Sequence, residues 1–147
     1  MSAYRHQAHL DAPLQDVWAL VASPTRYPEW WPRVIDVHGE RFEEGDEWVQ
    51  VTRSPSGEIE TNMLLERRED LRGIRMRCGL TGTYAHWLLT SAQGGTFVEL
   101  ELGMQPERVS DRVFDMTLGR SYFRRWIKDS LAGLEEASRS IVPAAPE

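Results

Sequence analysis

Apolar and polar residues alternate through most of the middle of the chain, and the alternation is cleanest near its end. Val98, Leu100, Leu102 and Met104 hold the even positions, with Glu99 and Glu101 between them. That is the period of a strand with one dry face. Earlier segments carry the same pattern. Ile59, Thr61, Met63 and Leu65 keep odd parity in a strand predicted to run from Ile59 to Arg67. Ile74, Met76, Cys78 and Leu80 keep even parity, which turns Arg75 and Arg77 the other way. The stretch Thr83 to Thr90 is less regular, and Trp87 with Leu89 is taken as its inner face. Shorter strands are predicted from Tyr4 to Leu10, Val34 to Phe42 and Trp48 to Arg53. The turn-rich runs Glu43-Glu44-Gly45-Asp46, Ser54-Pro55-Ser56-Gly57 and Gly94-Gly95 punctuate them. Strands joined by short turns predict an antiparallel meander with one buried face.

The period switches to helical twice. Leu14, Val17, Trp18 and Val21 fall at i, i+3, i+4 and i+7, a single apolar stripe. Pro13 is suited to the first helical position, and Ser23 to capping the element that Pro24 opens. Pro28 and Pro32 confine that second element to a turn or two. Tyr27, Trp30 and Trp31 therefore sit on very little regular structure. Rings of that size need a concave partner built by the rest of the chain. From Asp111 to Ser140 there is no proline, and Val113, Phe114, Thr117, Leu118, Tyr122, Trp126 and Ile127 form a broad apolar helical face. Arg124, Arg125, Lys128 and Asp129 lie opposite. Gly119 and Gly133 mark either close packing or a bend in that helix. One domain over 1–147 is expected, with a core from 3 to 140 and a loose tail at 143–147.

Composition narrows the chemistry. With 17 basic and 23 acidic residues the net charge is −6, which argues against a general nucleic-acid grip. A single cysteine, Cys78, excludes an internal disulfide and a multi-cysteine metal site. His6 and His9 fall on opposite faces of a strand, and His38 has no partner at ligand spacing, so no metal is expected. No glycine-rich phosphate loop occurs, and no cofactor is expected. The segment MSAYRHQAHL lacks a signal-type apolar stretch, and no apolar run approaches the roughly 18 residues that cross a bilayer. A cytoplasmic location without membrane insertion is the resulting expectation.

Several motifs then fall into one arrangement. Ala12-Pro13 is followed by Val17-Trp18 and Leu20-Val21, then by the run Pro24-Thr25-Arg26-Tyr27-Pro28-Glu29-Trp30-Trp31-Pro32, with Gly94-Gly95-Thr96 before the last strand. In motifs and element order the chain resembles the START-like, helix-grip superfamily, within it the polyketide cyclase/dehydrase (aromatase/cyclase-like) branch, over about residues 3 to 140. The resemblance implies an α+β fold. A curved antiparallel sheet of six to seven strands wraps a long C-terminal helix, two short helices follow the first strand, and a cavity lies between helix and sheet. It also implies a hydrophobic, aromatic or polyketide-like ligand and, where catalysis occurs, cyclisation or dehydration without metal or cofactor. Two alternatives stay open: a non-catalytic carrier of a quinone or lipid, and a protein-interaction module supported only by the arginine-rich helix face. The partner implied is a hydrophobic small molecule, with an acyl carrier protein left open.

Parity and the resemblance together nominate the cavity lining. Trp30, Trp31, Trp48 and Trp87 would offer ring walls. Thr61, Met63, Met76, Cys78, Leu89 and Leu100 would line it from the strands, and Phe114, Leu118 and Tyr122 from the helix. Three residues are candidates for chemistry. Arg67 would continue the inward parity of its strand and hold an anionic group, or else lie beyond the pocket in a solvated turn. His86 could shuttle protons, unless an inward Trp87 turns it outward. The Tyr122 hydroxyl could donate to a ligand carbonyl, or the ring could simply pack.

Overall fold

The computed structural model describes residues 2–54, 56–105, 112–113 and 119–141. Among them, β1 (Ser2–Leu10) leads into α1 (Leu14–Val21), a 3-10 turn (Pro24–Arg26) and α2 (Tyr27–Trp30). Six strands follow: β2 (Val34–His38), β3 (Glu47–Ser54), β4 (Gly57–Glu69), β5 (Gly73–Cys78), β6 (Thr83–Ala92) and β7 (Gly95–Met104). Then comes a long helix, α3 (Gly119–Ile141). The strands form one antiparallel sheet in the order β1-β7-β6-β5-β4-β3-β2. Only β1 pairs with a strand distant in sequence, which leaves the first and last strands side by side. This is the expected helix-grip arrangement.

Alternation decides which side of the sheet is dry. Val98, Leu100 and Leu102 are fully buried on β7, and their neighbours Trp87 and Ala85 on β6 are buried with them. The partners of Glu99 and Glu101 point to the opposite face. Gly94, with φ of 78°, supplies the left-handed residue that the β6–β7 turn requires. The apolar stripe of α1 buries Val17, Trp18 and Val21, with Leu14 half-buried. The described part of α3 packs on β1, β7, α1 and α2 through Phe123, Trp126, Ile127, Leu131 and Leu134. Gly133 fits there by close approach, since a Cβ at that position would lie 2.2 Å from the Trp30 carbonyl oxygen.

Five local expectations change. Pro13 is extended (φ −61°, ψ 152°) and stands just outside α1, where its carbonyl accepts from the Asp16 and Val17 amides. Ser23 precedes the 3-10 turn without a side-chain capping bond. The strand read as Val34 to Phe42 ends at His38, because the chain folds back and sets the Phe42 ring edge-on to Trp48 at 5.6 Å. Leu80 leaves the inward pattern and is 41% exposed, since β5 stops at Cys78 and a turn closed by Gly82 N–H to the Cys78 carbonyl takes over. Val113, expected on the apolar helix face, is 55% exposed. Phe114 and Leu118 lie outside the described residues.

Candidate ligand site on the inner face of the sheet

The nominated residues divide into two groups. The first is an aromatic nest. Prolines hold α2 to a single turn, so Tyr27, Trp30 and Trp31 project together toward the sheet. Trp30 and Trp31 stack at 5.7 Å, and both meet Trp87 edge-on at 5.6 and 5.4 Å. Trp126 of α3 also stacks on Trp31, at 6.1 Å. Polar atoms fix these rings. The Trp31 indole donates to Ser130 Oγ at 2.8 Å, and Ser130 in turn donates to the Trp126 carbonyl at 2.6 Å. The Trp126 indole donates to the Pro32 carbonyl at 2.9 Å. The Tyr27 hydroxyl donates to the Val21 carbonyl, and burial raises its pKa far above the ordinary range.

The second group lines β3, β4 and β5. Trp48, Met63 and Cys78 are successive cross-strand partners, and Gln50 faces Thr61 one step along. All are buried, with Met76 beside them. Polarity enters here. The Trp48 indole donates to Gln50 Oε1 at 3.1 Å, and Gln50 Nε2 donates to Thr52 Oγ1 at 3.1 Å. An indole only donates, so the carboxamide orientation is fixed. Residues 48, 50 and 52 share one face of β3, and their chain of bonds runs along it. The Thr61 hydroxyl meets only the Met63 sulfur, at 3.9 Å, a weak acceptor. Gln50 retains a second amide hydrogen. This is an apolar wall with two hydrogen-bonding groups that still have capacity.

Tyr122 stands at the start of the described helix, half-buried. Its ring packs edge-on to Phe123 at 5.2 Å and under the Arg33 guanidinium at 4.6 Å. Arg33 has φ of 76°, a costly conformation for a non-glycine residue that holds its side chain over this ring. Burial raises the Tyr122 pKa, with Arg33 acting against it.

Two chemical candidates lie on the other side of the sheet. A bulge between Leu65 and Arg67 breaks the β4 parity, so Arg67 pairs with Arg75 and is exposed rather than inward. With Trp87 inward and fully buried, His86 faces outward between Arg75 and Glu101. Burial and the Arg75 charge lower its pKa from 6.5. Around it runs a charged lattice. The Tyr84 hydroxyl donates to Glu101 at 2.9 Å, Arg5 pairs with Glu101, and Arg75 and Arg77 pair with Glu66 at 3.3 and 3.6 Å. Burial first, and the bond to Glu101 second, push the Tyr84 phenol up to about 12.

Sequence reasoning missed Gln50 and Ser130. Both had a signal: period 2 from an inward Trp48 reaches Gln50, and one helical turn from Trp126 reaches Ser130. Among the described residues no group of three or more His, Cys, Asp or Glu could hold a metal ion. No described helix is long and apolar enough to cross a membrane.

Solved structures share this architecture at low sequence identity. A Thermus thermophilus protein is 16% identical, with a TM-score of 0.78 over 97% of this chain and 100% of its own. A START superfamily protein from Mycobacterium smegmatis is 11% identical, with a TM-score of 0.74 over 95% and 99%. The di-domain ARO/CYC StfQ of the steffimycin biosynthetic pathway is 15% identical, with a TM-score of 0.71 over 94% of this chain and 49% of StfQ. No curated protein matches the chain. The family model described as polyketide cyclase/dehydrase and lipid transport matches residues 1–139, and the chain belongs to that family.

Proposed function

We propose that the chain binds a hydrophobic, oxygen-bearing small molecule of aromatic or polyketide-like class against the inner face of β3 to β5, and directs its cyclisation or dehydration by confinement. The observation that carries this reading is the Trp48–Gln50–Thr52 chain beside Thr61, set in an otherwise apolar wall. A buried polar network is costly unless it is satisfied, and its spare donors have value only toward an acceptor in the interior. Family membership and the shared fold with StfQ support the substrate class. Confinement would hold a flexible keto chain in a reactive fold, with Gln50 and Thr61 polarising a carbonyl.

Tryptophan fluorescence titration against polycyclic phenols, quinones and fatty acids tests the binding step. Saturable micromolar binding of the oxygenated rings, followed by an altered product when the protein joins a minimal polyketide synthase, is the expected result. Binding without any change in product removes the catalytic part. No binding across the panel removes the reading.

The carrier alternative is favoured by one observation. The described buried inward residues include no carboxylate, imidazole, guanidinium or ammonium group that could carry protons near neutral pH. A co-purifying quinone or lipid, identified by mass spectrometry of the native protein, would select it. The interaction-module alternative rests on the outer face of α3, where Arg120, Arg124, Arg125 and Lys128 line an open depression with Ser121. A pull-down that recovers no stable partner would weaken it.

A further inference from the structure

Three indole N–H groups of the interior have oxygen partners: those of Trp31, Trp48 and Trp126. Two others, on Trp30 and Trp87, are buried and meet no hydrogen-bond partner among the described residues. Buried donors left unmet are few in native proteins, because each gives up its water and receives nothing in return. Here two occur on rings that touch each other, 5.6 Å apart and nearly perpendicular. Neither ring is free to turn and find a partner. Trp87 is pinned between Ile74 and Leu100 in the sheet, and Trp30 is stacked on Trp31. An indole N–H directed at a neighbouring ring face gains only a weak contact.

We propose that Trp30 and Trp87 are the paired donors that receive an oxygen of the ligand, so that the ligand carries a carbonyl or comparable acceptor deep within its ring system. This rests on the reading of the interior as a hydrophobic ligand site and adds the functional group that the site selects. The chemistry follows from what an indole can do. It donates and never accepts, so a hydrocarbon leaves both groups unmet. A carbonyl oxygen has two lone pairs and can serve two donors, and a quinone offers one oxygen to each. Because both nitrogens are out of reach of solvent, the acceptor must enter the interior to meet them. Discrimination then takes the form of a site built to hydrogen-bond one group, which rejects the analogue that lacks it.

The test compares fluorenone with fluorene, the same tricyclic skeleton with and without a carbonyl. Indole N–H resonances of the nitrogen-15-labelled protein, assigned by single Trp→Phe variants, are followed as each probe is added. The expected result is a downfield shift of the Trp30 and Trp87 protons with fluorenone alone, the Trp31, Trp48 and Trp126 protons moving less. Replacing the N–H of either ring by sulfur, with benzothienylalanine at position 30 or 87, keeps the ring and removes the donor. Fluorenone affinity should then fall about three- to tenfold while fluorene affinity holds. If both probes bind and neither shifts these two protons, as when a trapped water holds them, the proposal is overturned and the hydrophobic site survives. If neither probe binds, both the proposal and the site reading fail.

Discussion

Two halves of one inner face differ in what their inward side chains carry. Under β6 and β7 the inward residues Trp87, Leu89, Val98, Leu100 and Leu102 are almost fully buried and apolar but for the Trp87 indole N–H. At the strand end the buried Thr96 hydroxyl donates to the Ala12 carbonyl at 2.7 Å. There α3 packs against β7 and β1. Under β3 and β4 the same alternation delivers Trp48, Gln50, Thr61 and Met63, with a hydrogen-bonded chain along the wall. The same strand alternation runs through both halves, and the side chains it turns inward differ in chemistry. Apolar packing is where burial stabilises most per residue, and polar groups add little net stability there. The β6–β7 half therefore holds the fold together. Under the proposed function, the polar groups of the β3–β4 half, together with the Trp87 N–H, serve recognition.

The largest effect should come from breaking the apolar half. Leu100→Arg places a charge among Trp87, Leu89 and Leu102 and should cost more than about 4 kcal/mol, enough to unfold the domain. Its neighbour Glu99, on the wet face, should tolerate Arg within about 0.5 kcal/mol. Equal melting temperatures for the two variants would mean the two faces are not distinct.

Gln50→Leu comes next and acts on both stability and binding. It leaves the buried Trp48 N–H without its acceptor, at about 1–3 kcal/mol. Chemical denaturation measures that cost, and titration with an oxygenated ligand should show weakened binding. A variant as stable as the parent with undiminished affinity would remove the polar half from the site. Thr61→Val is gentler, because the hydroxyl meets only a sulfur. Stability should hold within about 0.5 kcal/mol, while affinity for a keto ligand drops about three- to tenfold. An affinity loss that is equal for keto and hydrocarbon ligands would assign Thr61 to packing.

The smallest effect belongs to the wet face. The native pKa of His86 is lowered by burial and Arg75, so the folded state prefers the neutral imidazole. Its contribution to stability is present above the ordinary value of 6.5 and is lost as pH falls through the lowered native value. His86→Gln should flatten the decline in melting temperature between about pH 7 and pH 5 and leave ligand binding unchanged. A change in the pH profile of binding would place His86 in the site.

Most of the scaffold was legible because each element carries its own period. The even positions of β7, the stripe of α1 and the prolines around α2 all reported local geometry that the fold kept. Arg67 illustrates what a period cannot report. One extra residue at the bulge after Leu65 flips every later side chain to the other face, and the sequence does not mark where a bulge falls. The choice between His86 and Trp87 was a question of the same kind, settled when Trp87 found Trp30 and Trp31 across the core. Gln50 was within reach of strand parity from Trp48, yet nothing in its identity distinguished it from a surface glutamine.

The sequence by itself determined the element order, the dry and wet parity of its regular strands and the concentration of rings between Pro24 and Pro32. These follow from spacing along one segment, which the local backbone geometry reads directly. Tertiary structure alone decided that Trp31 and Trp126 would find oxygen partners while Trp30 and Trp87 would not. It also decided that Arg33 would take a left-handed backbone to cover Tyr122, and that Gln50 would bridge Trp48 and Thr52. Those outcomes depend on which atoms the long-range packing brings within hydrogen-bonding distance, and no local period encodes that distance.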